Sequence, residues 1–227
     1  MDLSTREVAR LLGVTEQVVN RWLRDKAIPA HRLHDQPRFN RVEIQEWAAA
    51  RGIRLSPETA GPDRAPAASS SLRAAVERGG IYYDLPGTSS TEVLEAVTQL
   101  PGIPEGVDRD LLRQLLVGRE ALMSTGIGGG IAIPHPRDPV VIHTPEPIVL
   151  TCFLKSAVDF HAIDAAPVRV IFALLSPSIR AHLRILARLT YALHDAALLE
   201  MLEKRAAPAA ILDRLAVIEA QEQAPQP

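Results

Sequence analysis

What this sequence lacks narrows its chemistry before any motif is considered. A single cysteine, Cys152, stands among 227 residues, so no internal disulfide can form, which suits a reducing compartment. It sits in the apolar run Ile148-Val149-Leu150-Thr151-Cys152-Phe153-Leu154 and reads as a small core residue. No apolar stretch reaches the roughly 18 uncharged residues of a membrane span. The start, Met1-Asp2-Leu3-Ser4-Thr5-Arg6, lacks a basic segment followed by an apolar one. Neither membrane embedding nor export is therefore expected, and a cytoplasmic location is. The Gly-Lys-Ser/Thr ending of a phosphate-binding P-loop and the dinucleotide G-x-G-x-x-G spacing are both missing, which excludes the common nucleotide enzymes. Histidines and acidic residues do not fall at metal-ligand spacings; His135 with His143 is the only pair worth weighing, and neither metal nor cofactor is expected. Internal repeats are absent.

What is present is ordinary in bulk and unusual in one place. Hydrophobic residues make up 47% and charged residues 23%, as in a typical globular protein. The unusual place is Ser124-Thr125-Gly126-Ile127-Gly128-Gly129-Gly130-Ile131-Ala132-Ile133-Pro134-His135. Glycines here permit positive φ and close backbone approach. Bare backbone N–H groups can hold a tetrahedral anion, and an imidazole beside such a collar is a candidate phosphoryl acceptor. A glycine-rich hairpin with a merely exposed histidine is the competing reading, and the run alone leaves both open.

The wider context brings in a resemblance. Arg119-Glu120-Ala121-Leu122-Met123 followed by the run to His135 is similar to the active-site signature of enzyme IIA of the bacterial phosphotransferase system, of the mannitol/fructose/nitrogen type. Asp159-Phe160, Ile163-Asp164-Ala165-Ala166-Pro167-Val168 and His182-Leu183-Arg184-Ile185-Leu186 resemble its following blocks, with Ala165-Ala166 departing from the usual pair at that turn. The resemblance implies a mixed sheet flanked by helices. It also implies that His135 takes a phosphoryl group from a phosphohistidine carrier protein, with His182 as its neighbour. On this basis Arg119, Ser124, Thr125, Gly126, Gly128, Gly129 and Gly130 are candidate phosphate-binding residues. Such a protein is a phosphoryl acceptor and donor rather than an independent turnover enzyme. His161 and His194 are expected to be peripheral, and His31 and His34 to belong to the wing of the N-terminal part.

That N-terminal part is distinct. Residues 1–54 hold ten Lys/Arg against seven Asp/Glu and the remainder fifteen against twenty, so the net charge of −2 hides a positive end suited to nucleic acid. Ser4 and Glu7 form a capping box, Val8, Leu11 and Leu12 recur at helical spacing, and Gly13 ends that helix. Thr15 is placed to cap a second helix with the stripe Val18, Val19, Trp22 and Leu23, and residues 42–48 form a third. The layout resembles the excisionase-like, MerR-type winged helix-turn-helix. Gln17, Asn20, Arg21 and Arg24, with Glu16, line the exposed face of the second helix, where Asn, Gln and Arg can read base edges. Arg38 and Asn40, with Arg32 and Arg41, would serve phosphates from the wing. Trp22, Trp47 and Phe39 read as core. One such module binds weakly, so a homodimer or a paired site is expected.

The organisation expected is a helix-turn-helix domain over 1–55, a flexible Pro/Ala/Ser linker over 56–71, an α/β enzyme IIA domain over 72–220 and a disordered tail over 221–227. Helices are predicted at 90–97, 108–120, 179–194, 196–203 and 208–215, and strands at 131–133, 148–154 and 168–175. Three functions compete: a DNA-binding regulator that responds to phosphorylation of His135, a carrier that passes the phosphoryl group to a IIB component, or a regulator acting only by protein–protein contact.

Overall fold

The computed structural model describes residues 2–25, 27–33, 36–40, 43–44, 47–48, 71–137 and 144–223. Its contacts divide the chain into two units, Met1–Arg64 and Ala65–Pro227.

The first unit comprises β1 (Asp2–Leu3), α1 (Thr5–Leu12), α2 (Glu16–Arg24), β2 (His31–Leu33) and β3 (Gln36–Asn40), with Glu43, Ile44, Trp47 and Ala48 also helical. The Ser4 hydroxyl accepts the Glu7 N–H and the Glu7 carboxylate accepts the Ser4 N–H at 2.7 Å, so the capping box is formed. Thr15 occupies the cap position of α2, but its hydroxyl makes no capping bond, contrary to the sequence reading. The strands form an antiparallel sheet in the order β1-β3-β2. Val8, Leu11, Val19, Phe39 and Ile44 fill the core, and Trp22 meets Trp47 edge-on at 4.9 Å, so these aromatics are packing groups.

In the second unit a five-stranded mixed sheet runs β4-β7-β8-β6-β5. Its strands are β4 (Ile81–Leu85), β5 (Gly126–Gly128), β6 (Ile131–Ala132), β7 (Ile148–Val158) and β8 (Val168–Leu175). The helices are α3 (Leu72–Gly79), α4 (Ser90–Thr98), α5 (Arg109–Leu122), α6 (Ile179–Ala192), α7 (Ala196–Glu203) and α8 (Pro208–Gln223). Strand alternation sends Val149, Phe153, Val170, Phe172 and Leu174 to one face, where α3, α6, α7 and α8 pack. Leu150, Cys152, Leu154, Ile171, Ala173 and Leu175 go to the other, under α4 and α5. Both faces are covered, which is why β7 and β8 are near-continuous apolar runs rather than alternating ones. The sequence reading of an α/β domain with a mixed sheet and flanking helices is thus what the structure has.

Beyond shifts of a few residues at several ends, such as β7 continuing to Val158, larger differences from expectation occur at the two ends of this unit. α3 and β4 occupy residues 72–85, for which no element was assigned; β4 forms only by pairing in parallel with β7, a non-local partner. α8 continues to Gln223, beyond residue 215 and three residues into the segment expected to be a tail. Its Glu219 is buried and its carboxylate accepts from the Ser71 hydroxyl (2.7 Å) and the Leu72 N–H, while Arg188 of α6 pairs with it at 3.3 Å. A carboxylate at the N-terminus of α3 satisfies its first amides and opposes the positive end of its dipole. Ser71, placed in the linker by the sequence, is therefore the cap of α3, and it accepts the Ala74 N–H as well. The rest of the expected linker, residues 56–70, and the tail beyond residue 223 lie outside the described residues.

Candidate functional site

Parallel neighbours bring two distant histidines together. β6 and β8 pair in parallel, Ile131 with Val170 and Ala132 with Ile171, and the ladder continues as the Leu174 N–H donates to the Pro134 carbonyl at 2.9 Å. Both segments therefore leave the sheet at the same end, where ligands of open α/β sheets gather. His135 follows Pro134 directly. After β8, Ser178 caps α6 by accepting the Ala181 N–H at 3.2 Å, and His182 falls in the first turn of that helix. The two rings lie 5.1 Å apart between centroids, tilted by 57°. His135 is 6% exposed and His182 wholly buried.

The His135 ring has a defined orientation. Nδ1 lies 2.7 Å from the Ile133 carbonyl oxygen. A carbonyl only accepts, so Nδ1 carries the proton and the lone pair of the neutral ring lies on Nε2. The positive end of the α6 dipole sits beside the pair, because His182 belongs to the first turn. Arg137 follows His135 by two residues, and Arg180 and Arg184 flank His182 by the same distance. These three arginines were given no role from sequence, although adjacency to the histidines was the available signal.

The glycines do something other than cradle an anion at His135. Gly128, Gly129 and Gly130 all take positive φ (97°, 63° and 75°) and form the tip of the β5–β6 hairpin. The Gly130 carbonyl accepts from Arg169 and Val170, whereas Pro134 pairs with Leu174. Tip and histidine are thus separated by four ladder steps, about 13 Å at ~3.3 Å per residue. The Gly129 N–H donates to the Asp164 carboxylate at 2.8 Å and the Gly126 N–H to the Ser124 hydroxyl at 2.9 Å. The Gly128, Gly129 and Gly130 amides thus form the hairpin tip, four ladder steps from His135. Gly126 is better described as part of the loop's internal bonding.

Ser124 and Thr125 are engaged within the same loop and its neighbours. The Ser124 hydroxyl donates to the Phe160 carbonyl, and the Thr125 hydroxyl to the Glu120 carboxylate. That carboxylate also accepts the Thr125 N–H, at 3.0 and 3.2 Å to its two oxygens. Glu120 was quoted in the motif but assigned nothing. Arg119 is 8% exposed and donates to the Met123 carbonyl at 2.8 Å, closing the last turn of α5.

A cavity of about 410 Å³ lies elsewhere, lined by Thr91, Leu94, Glu120, Met123, Phe160 and His161 among others, and neither His135 nor His182 lines it. His161 is exposed and pairs with Asp159 at 3.1 Å, while Nδ1 of His194 meets the Thr190 carbonyl within α6 and its end. His143 lies outside the described residues, as does Arg41. Burial pushes the Cys152 thiol far up, so it stays protonated and unreactive.

On the first unit, Gln17, Asn20, Arg21 and Arg24 are all exposed, and their spacing places them on one face of α2. Arg38 is half-buried and donates to the Gln36 side chain at 3.2 Å. The Asn40 side-chain oxygen accepts the Glu43 N–H at 3.3 Å, capping the helix that follows β3.

Comparison with known proteins bears on both units. Residues 76–217 match the family described as "Phosphoenolpyruvate-dependent sugar phosphotransferase system, EIIA 2", and residues 3–52 match "Helix-turn-helix domain". A nitrogen regulatory protein of Pseudomonas aeruginosa is 38% identical over 136 residues, covering 58% of this chain and 84% of that protein. A fructose-specific EIIABC component of Bacillus subtilis is 34% identical over 98 residues, which are 42% of this chain but 15% of that protein. Among solved structures, the nitrogen regulatory protein IIA-Ntr of Neisseria meningitidis superposes with a TM-score of 0.54 at 26% identity. It covers 61% of this chain and 94% of its own.

Proposed function

The chain belongs to the EIIA 2 family of the phosphotransferase system, and from that premise we propose that phosphorylation of His135 controls DNA binding by the helix-turn-helix unit. The observation that carries the first half is the ring pair: His135 with Nδ1 bonded to a carbonyl, and His182 at 5.1 Å. Nε2 attacks phosphorus while the P–N bond to the donor's imidazole breaks. Positive charge then develops on the His135 ring as it leaves the donor ring. The Nδ1–H···O=C bond to Ile133 becomes charge-assisted as this happens, so it favours the phosphorylated state. No net proton moves. Phosphoryl transfer of this kind rests on positioning and electrostatics. His182 donates to the phosphoryl oxygens, and the first turn of α6 together with Arg119 balances their charge.

The second half rests on the exposed face of α2, whose Gln17, Asn20, Arg21 and Arg24 suit the major groove. Arg38 serves the backbone from the wing. A doubly charged group added to His135 changes what the unit docks against, and so changes operator occupancy. Because the donor is itself a phosphohistidine carrier fed by phosphoenolpyruvate, the protein works in the cytoplasm.

Labelled phosphoenolpyruvate with the two upstream phosphotransferase proteins tests the acceptor: His135→Ala takes no label, and undiminished label would overturn the assignment. Fluorescence anisotropy on operator DNA then compares phosphorylated and unphosphorylated chains. Equal affinity, with no change in oligomeric state, would remove the switch. Likeness to a fructose-specific component favours a second reading, a carrier handing the group to a IIB component. Label arriving on an added IIB domain would select it.

A further inference from the structure

We propose that Glu120 is a positioning residue for His135, acting through Thr125 and Ile133. The inference deepens the phosphoacceptor reading of His135 and rests on it. Four groups form one continuous series of hydrogen bonds. The Glu120 carboxylate, on the last turn of α5, accepts both the N–H and the hydroxyl of buried Thr125. The Thr125 carbonyl accepts the Ile133 N–H at 3.0 Å. The Ile133 carbonyl accepts Nδ1–H of His135 at 2.7 Å.

The root of the hairpin needs this hold. Above Thr125 the two strands pair only at Gly126 with Ala132 and Gly128 with Ile131, with an irregular register between them. Nothing in so short and glycine-rich a ladder fixes the root on its own. Glu120 reaches in from a packed helix and supplies the missing anchor.

Ile133 converts that anchor into ring orientation. It precedes Pro134, which restricts it to extended backbone. With its N–H tied to Thr125 and the Pro134 carbonyl tied to Leu174, the Ile133 carbonyl is held from both sides. Its direction decides which ring nitrogen of His135 keeps the proton. Without Glu120 the root loosens, the carbonyl turns, and the ring relaxes toward a mixture of tautomers in which Nε2 is partly protonated and unable to attack.

The experiment reads the tautomer directly in the full-length, unphosphorylated chain. Long-range ¹H–¹⁵N correlation of imidazole-labelled protein gives the His135 signals, assigned by their loss in His135→Ala. Wild type shows the Nδ1–H form. Glu120→Ala shifts His135 to mixed tautomers and lowers the maximal single-turnover rate of phosphorylation about tenfold, within the range expected for a misoriented reactant, with the half-saturating donor concentration within twofold. Glu120→Gln lies between, and Thr125→Ser restores wild-type behaviour where Thr125→Val does not. Should Glu120→Ala fail to fold, Glu120→Gln and Thr125→Val carry the same readout. An unchanged tautomer in these variants, whether or not the rate falls, would overturn the proposal, since a merely structural role predicts that result. The tautomer requires no phosphodonor. Failure of wild type to take label would therefore count against the acceptor reading alone.

Discussion

The two ends of one short segment, Gly130 to His135, behave as opposites. At the tip, three successive glycines hold positive φ and an Asp164 carboxylate fastens the Gly129 amide. At the root, there is no glycine: Ile133, Pro134 and His135 are buried, the backbone is laddered on both sides, and one imidazole is oriented. The tip draws the eye in the sequence because its composition is odd, yet that oddness answers a steric need. The root is compositionally plain and holds the proposed acceptor, His135. Glycine richness near a candidate nucleophile therefore marks a turn as readily as a ligand cradle, and the ladder tells them apart.

The contrast can be broken in order of expected effect. Loss of His182 should be felt most. His182→Ala removes a group 5.1 Å from His135, and losing one preorganised donor to a phosphoryl oxygen should slow labelling by about 100-fold. Initial rates with the phosphocarrier measure it, with circular dichroism to verify the fold. A rate within threefold of wild type would strip the root of its second member.

Gly129→Ala addresses the tip. No atom lies within 4 Å of the added methyl, so the penalty is backbone strain at φ +63°, roughly 1–2 kcal/mol. Thermal unfolding should shift down by roughly 2–8 °C, while the labelling rate stays within about twofold. A collapse in labelling at unchanged stability would restore the glycines to the phosphate site.

The smallest effect is acid opening of the tip. The Gly129 and Ala166 N–H groups hold the Asp164 carboxyl below the usual aspartate range. Its folded value lies below its unfolded one, so its contribution is whole above the unfolded value and is lost as pH falls through the folded one. Hydrogen exchange at the Gly129 amide should accelerate only below the ordinary aspartate range, and Asp164→Asn should remove that dependence. Exchange already fast at neutral pH in wild type would show the tip to be unfastened.

Legibility followed the reach of the interactions. β8 and α7 were read from sequence with the bounds they have, because an unbroken apolar run and a helical stripe are local signals. His135 and His182 were assigned from motif residues, and it took the parallel pairing of β6 with β8 to set them side by side. β4 was missed because Ile81-Tyr82-Tyr83-Asp84-Leu85 becomes a strand only on the edge of β7. The polar end of α8 looked like a tail because Glu219 finds its partners 147 and 148 positions away. Hydroxyls and amides of the Ser124–Thr125 region looked available for an anion, since no periodicity reveals that Glu120 and Phe160 already engage them.

Glu219 has one more consequence. By reaching the amides that open α3, it makes the beginning and end of the phosphotransferase unit neighbours. The fold is in effect a closed circuit that the chain enters and leaves at one point. A few residues bridging that point would complete the ring, and the chain could be reopened at a surface turn with every sheet ladder kept. In the sequence, the helix-turn-helix match ends before that point.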